Sequence, residues 1–334
     1  MNIDISQSES NEIFNDILFD FVEVKSPSAS ANPKGIILGG QPGSGKTYLK
    51  DEVMLEFNED FIFISTDDLR LYHPAYLELQ QNPETVQNAA NLVNPHASAW
   101  TEKLIKHCIE NKYNLIIDST LGGNIQAVYD TIDMFRSKDF EVHLRVMAVP
   151  AIISKLSIFL RYETQLAEKG FARWTRMEDH DDRFEILEEN LTHILMHKTP
   201  NSIAFYIREY DKNGTIKLPQ FEYIDCKHVT KKLELLEQKY WYLFQSYREQ
   251  LLIKETLFLI NTLNTIVKLI QNRGGSLENF NSYIREDLQF FNISDFDKHR
   301  SLLNSSILKI LDDCNTNDAS INNDSNEIQE FSNS

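Results

Sequence analysis

Gly40-Gln41-Pro42-Gly43-Ser44-Gly45-Lys46-Thr47 is a complete GxxxxGK[ST] loop, and it limits the folds open to this chain more than any other stretch. Such a loop works between a strand and a helix, because its backbone N–H groups and the helix N-terminus must converge on one anion. Both flanks are present: Gly35-Ile36-Ile37-Leu38-Gly39 reads as a buried strand, and Tyr48 to Phe57 as a helix. In that setting residues Gly40 to Tyr48 surround phosphate oxygens, Lys46 reaches the β- and γ-phosphates, and the Thr47 hydroxyl holds Mg²⁺. The expected ligand is Mg-ATP or another nucleoside triphosphate.

The rest of the first 225 residues alternates apolar runs with helical stripes. Asn11 to Val24 predicts an N-terminal helix. Phe61-Ile62-Phe63-Ile64-Ser65 predicts a second strand, Ala97 to Asn111 a helix, and Asn114 to Asp118 a third strand. A helix over Ile125 to Lys138, a strand over Glu141 to Val149, helices over Ile152 to Glu168 and Met177 to Met196, and a strand over Ser202 to Arg208 follow. An Asn213-Gly214 hairpin turn closes the last strand. Strands alternating with helices imply an α/β fold with a parallel sheet and right-handed crossovers. Beyond Val229 the pattern is helical: Thr230 to Asn272, a Gly274-Gly275 break, Leu277 to Phe291 and Ser294 to Leu311. Asp312 to Ser334 has six acids and no Lys or Arg, and reads as a disordered acidic tail. The expected division is 1–225, 226–311 and 312–334.

Composition narrows the partners. A net charge of −17 with scattered basic residues argues against nucleic acid, which needs a basic stripe. The most apolar stretch, Leu251 to Ile270, carries Lys254, Glu255 and Lys268, so no membrane span is expected. Cys108, Cys226 and Cys314 match no metal or disulfide spacing. No signal peptide is visible, and the expected location is the cytoplasm.

Candidate site residues lie where strands end, since ligands of open parallel sheets sit at the C-terminal edge. Asp67 follows the second strand and can accept the proton of an acceptor hydroxyl, while Asp68 is expected as a helix N-cap. Asp118 closes the third strand, ahead of Ser119-Thr120. It can orient Mg²⁺ or bind a substrate hydroxyl. Arg161, Arg173, Arg176 and Arg183 crowd one helix–loop–helix, where guanidinium groups can clamp a transferring phosphoryl group. His73 before Pro74 reads as a residue that holds the loop after Asp67.

Taken together these motifs resemble the zeta toxin family of bacterial P-loop kinases in toxin–antitoxin systems. The resemblance runs through Leu38 to Thr47, Asp67 to Gln80 with His73-Pro74, Leu115 to Leu121, Arg161-Tyr162-Glu163, and Ala172-Arg173 with His180-Asp181, over roughly the first 220 residues. It implies a five-stranded parallel sheet in the order 2-3-1-4-5, and ATP-dependent phosphorylation of the aminosugar 3′-hydroxyl of UDP-N-acetylglucosamine. By the same resemblance Lys46, Asp67, Arg161 and Arg173 are catalytic, and Thr47 holds the metal. Asp67, His73, Asp118 and Thr120 bind substrate, and a small helical antitoxin is the partner. Three positions depart from the family pattern: Asp118 where Glu is usual, Gly122 where Arg is frequent, and Ser65 where an acid is frequent. Rival expectations are a kinase of another hydroxyl acceptor (a nucleotide, a dinucleotide cofactor or an antibiotic), a nucleotide-dependent switch, or an effector delivered into another cell.

Overall fold

Five short apolar runs, each too short to be a core helix and each ending in polar residues, form the parallel heart of this protein. In a computed structural model they are β1 (Lys34–Gly39), β2 (Ile62–Ile64), β3 (Leu115–Asp118), β4 (Glu141–Met147) and β5 (Ser202–Tyr206). The structure describes residues 3–56, 60–198, 200–210, 216–218, 220–226, 242–249 and 253–289, with three isolated positions beyond. The sheet runs β2-β3-β1-β4-β5, all parallel, as the resemblance implies. Nearly every residue of these strands is buried, as expected for a sheet covered by helices on both faces.

One helix precedes β1 and the others lie between the strands. They are α1 (Gln7–Leu18), α2 (Lys46–Glu56), α3 (Thr66–Leu69), α4 (Tyr76–Gln81), α5 (Ala89–Glu110), α6 (Ile125–Arg136), α7 (Ala151–Lys169) and α8 (Met177–His197). Helix α1 starts four residues before the expected Asn11, because the Ser6 side chain accepts from Glu9 N and caps it. It continues as a π-helical turn over Phe19–Glu23. Helix α5 starts at Ala89 and runs through Pro95. Its buried stripe of Val93, Ala97, Trp100 and Leu104 spans the proline, and that burial offsets an interior-proline cost of about 3 kcal/mol.

After β5 the chain departs from expectation. β6 (Glu209–Tyr210) and β7 (Ile216–Lys217) form a separate two-stranded ribbon, and β8 (Gln220–Asp225) returns antiparallel beside β5 as a sixth strand. The Asn213-Gly214 turn lies outside the described residues. So do 230–241 and 250–252 of the expected first C-terminal helix, nearly all of the Ser294–Leu311 helix, and the tail.

Residues 242–249, α9 (Ile253–Asn272) and α10 (Glu278–Gln289) are helical. Leu259, Ile260, Leu263 and Val267 of α9 share one core cluster with Ile152, Leu156 and Phe159 of α7. Phe280 of α10 meets Phe159 edge to face at 4.9 Å. The buried Glu163 carboxylate of α7 receives Nε and Nη2 of Arg273 at 2.7 and 2.8 Å, a fork geometry that satisfies both oxygens. Among the described residues, no helix is long and apolar enough to cross a membrane.

Candidate active site

The register of the sheet sets the site. Leu38 of β1 pairs with Asp118, and Ile64 pairs with Ile117, so the strand ends carrying the glycine loop, Asp118 and Ser65 are level with one another. Gly40, Gly43 and Gly45 all have positive φ. At Gly43 (φ 78°) a Cβ would also overlap the Ser154 carbonyl, so only glycine lets the loop pass α7. The loop is tied to its surroundings by Gly40 N donating to Thr120 O and by Gln41 Nε2 donating to Val149 O at 2.8 Å.

A cleft of ≈ 1060 Å³ opens over this edge. Pro42, Gly43, Gly45, Lys46, Thr47 and Tyr48 line one part of it; Asp67, Asp118, Thr120, Arg161 and Arg173 line another. Gly40, Gln41 and Ser44 are expected nucleotide contacts, but they do not line it. The Gln41 side chain is fully buried and turned into the α7 terminus, where it also donates to Ser154 Oγ. Lys46 Nζ rests on Gly40 O at 2.8 Å, 3.9 Å from Asp118 Oδ1.

Asp67 and Asp118, two of the acids that line the cleft, are shifted in opposite directions. Asp67 takes Arg173 on one oxygen and Arg70 on the other. Burial opposes its ionisation, but Arg173, Arg70 and Arg161 outweigh that and hold the carboxyl down at about 2. Burial raises Asp118, with Asp67 adding to the rise and Lys46 offsetting only part of it. Asp118 Oδ1 is buried without a hydrogen bond, while Oδ2 lies 3.4 Å from the Ser65 hydroxyl. Arg161 falls to about 10 through burial and the Arg173 charge, so it stays cationic at neutral pH. The Nε atoms of Arg161 and Arg173 are buried donors without partners, as a site built for an anion would leave them.

An oxygen donor set of Thr47 and Asp118 beside a phosphate loop suits Mg²⁺, which is commonly held by one or two carboxylates plus substrate phosphates. Among the described residues, no group of three or more His, Cys, Asp or Glu could hold a metal.

Two expectations are corrected. Asp68 is not an N-cap: Ser65 occupies that position and Asp67 and Asp68 sit in the first turn of α3, where Asp68 is raised by burial and the Asp67 charge. His73 is not brought into the cleft. It is buried, with Nε2 3.1 Å from Ile3 O and Nδ1 accepting from Ala75 N, and its ring lies against His96 and Trp100.

The cleft also holds residues that sequence reading missed. Arg70 is one; its guanidinium bridges Asp67 and Asn94, and the Asp-x-x-Arg spacing on one helical face was the available signal. Arg183, seen only as one of four arginines, donates from Nη1 to Gly122 O at 2.9 Å. A Cβ on Gly122 would overlap the Arg183 backbone, so α8 packs where a side chain at 122 would stand. Arg208 and Phe258 complete the wall, and nothing local in the sequence marks either.

Comparison with known proteins shows the family and the fold. The zeta toxin family model matches residues 20–218. A zeta toxin of Enterococcus hirae is 32% identical over 68% of this chain and 84% of its own length. One of Streptococcus agalactiae is 35% identical over 57% of this chain and 64% of its own. A solved structure from the PezAT chromosomal toxin–antitoxin system of Streptococcus pneumoniae superposes with a TM-score of 0.63 at 23% identity, over 80% of this chain and 99% of that one, which shows the shared fold. With the family model spanning more than half its residues, this chain belongs to the zeta toxin family.

Proposed function

We propose that this chain is an ATP-dependent small-molecule kinase. It transfers the γ-phosphate of Mg-ATP to the 3′-hydroxyl of the aminosugar of UDP-N-acetylglucosamine and so inhibits cell-wall synthesis. One observation carries the reading: a glycine phosphate loop with Lys46 and Thr47 shares a single cleft with an ionised carboxylate, Asp67, and with the half-buried cations Arg161 and Arg173.

In this reading the acceptor hydroxyl oxygen bonds to the γ-phosphorus as the bond to the bridging oxygen breaks, and ADP leaves. Asp67 accepts the hydroxyl proton. Paired as it is, a carboxyl at about 2 binds a proton weakly. Drawing Arg173 from Asp67 onto the transferring phosphate strengthens the clamp and raises the proton affinity of Asp67 in one movement. Lys46 leaves its resting place on the Gly40 carbonyl for the phosphates, and Arg161 adds a second cation to the charge developing there. Thr47 and Asp118 would hold Mg²⁺, which would supply charge neutralisation to the phosphates. Thr120 and the 119–124 loop, fixed by Asn190 Nδ2 donating to Leu121 O and Gly123 O, face the acceptor.

Family membership supports the toxin role. The PezAT structure comes from a toxin–antitoxin system, and a small helical antitoxin is the partner proposed here. The proposed location is the cytoplasm, with 1–225 as the catalytic domain. Gly122 favours a second reading of the acceptor alone. With α8 packed against it, no arginine reaches the substrate from that position, and a differently shaped alcohol such as a nucleotide, a dinucleotide cofactor or an antibiotic is accommodated instead.

The test is to incubate purified protein with Mg-ATP and each acceptor, follow ADP, and locate the new phosphate by NMR. Phosphate on the aminosugar 3′-oxygen is expected. Transfer only to another alcohol replaces the acceptor, and no transfer to any of them overturns the kinase reading.

A further inference from the structure

The strand order divides the cleft into two sides. β3 and β2, with Asp118 and Asp67, flank the glycine loop on one side; β4 and β5 flank it on the other. If the terminal phosphate points toward Asp67, as the proposed function requires, the nucleoside must leave the loop on the β4–β5 side.

Arg208 and Phe258 line the cleft there. Arg208, two residues past β5, is buried, and its Nη1 donates to Ser157 Oγ at 2.8 Å and to Gly43 O of the glycine loop at 3.3 Å. Its guanidinium carbon lies 5.8 Å from the centre of the Phe258 ring. Phe258 sits at the start of α9 and also lines the cleft. The next two residues, Leu259 and Ile260, are fully buried in the cluster shared with α7, so the ring is carried on an anchored helix.

We propose that Arg208 and Phe258 form the platform for the nucleotide base, so that the C-terminal helix α9 completes the nucleotide site. A guanidinium plane and an aromatic ring offer a flat heteroaromatic base stacking surfaces on both. The platform is built from two segments far apart in sequence. Arg208 ties it to the loop that holds the phosphates, which sets base and phosphates at a fixed separation.

The experiment compares ATP with inorganic tripolyphosphate, which has the phosphates and no base, by calorimetry on the full chain. Wild type, Phe258→Leu and Phe258→Tyr are measured, with a thermal melt on each. Phe258→Leu is expected to weaken ATP by about tenfold or more while tripolyphosphate binding stays at the wild-type value, and Phe258→Tyr to restore ATP binding. Unchanged ATP affinity in Phe258→Leu overturns the platform, and so does equal weakening of both ligands, which marks a packing role. Tighter ATP binding in that variant overturns it too, because the ring would then be an obstruction. Wild type that binds neither ligand removes the phosphate-loop reading itself, a result separable from all of these.

Discussion

The ends of β2 and β3 lie side by side, and each presents one aspartate to the same cleft, yet the two carboxylates are handled in opposite ways. Asp67 is surrounded by three arginines and stays ionised far below the usual carboxylate range. Asp118 is half-buried, with a single lysine 3.9 Å away and an oxygen left without a hydrogen bond, so its ionisation is costly. Neighbours rather than residue type set the role. A carboxylate wrapped in guanidinium is preorganised and locked, whereas one left short of partners gives up its proton less readily.

The first way to break this comparison is to remove the lock. Arg173→Ala should lower kcat by about 10³-fold or more in a transfer assay, as loss of a phosphoryl-clamping arginine does elsewhere. It should also shift the acid limb of the pH–rate profile upward, because Asp67 loses the strongest of its counter-charges. A profile that keeps its shape would mean Asp67 takes no part in the titration.

The second change acts on the other acid. Asp118→Asn should weaken Mg²⁺-dependent nucleotide binding by about ten- to a hundredfold while metal-free binding changes little, read by calorimetry with and without Mg²⁺. The same variant should melt a few degrees higher than wild type at neutral pH. The sign follows from the raised carboxyl: its ionisation opposes folding once pH exceeds the raised value, and that cost fades on acidification as Asp118 takes up a proton. The melting advantage should therefore shrink toward pH 4. Asp67 has the opposite sign. Its stabilisation is present above the ordinary carboxyl value of 3.8 and is lost as pH falls toward about 2.

The smallest effect tests the 119–124 loop. Gly122→Arg restores the residue frequent in the family, but its Cβ would overlap the Arg183 backbone. A loss of about 1–3 kcal/mol in denaturant unfolding is expected. A stable variant would show that α8 yields easily at this point.

Much of this arrangement was legible in the chain. Short apolar runs ending in Ser65, Asp118 and the glycine loop marked the strands and their chemistry-bearing edge, and Asp67, Asp118, Thr120, Arg161 and Arg173 do converge there. What escaped has physical causes. β8 is an edge strand with polar and aromatic residues in turn, such as Glu222 and the exposed Tyr223, and carries no buried-strand signal. Asp68 looked like a cap because Asp caps well, but the chain turns helical two residues earlier, after Ser65. His73 stands in a motif with Asp67, but its ring is satisfied by Ala75 N and by Ile3 O, and the second contact depends on the N-terminal segment folding back. Phe258 reaches the cleft only because α9 packs on α7, a tertiary contact without local signature.

The most direct test of the central claim is the single-turnover rate of phosphate transfer by Asp67→Asn, measured beside its ATP affinity. The account expects ATP to bind about as in wild type and transfer to slow by about 10²- to 10⁴-fold. Transfer at the wild-type rate, with the carboxylate gone, would contradict it.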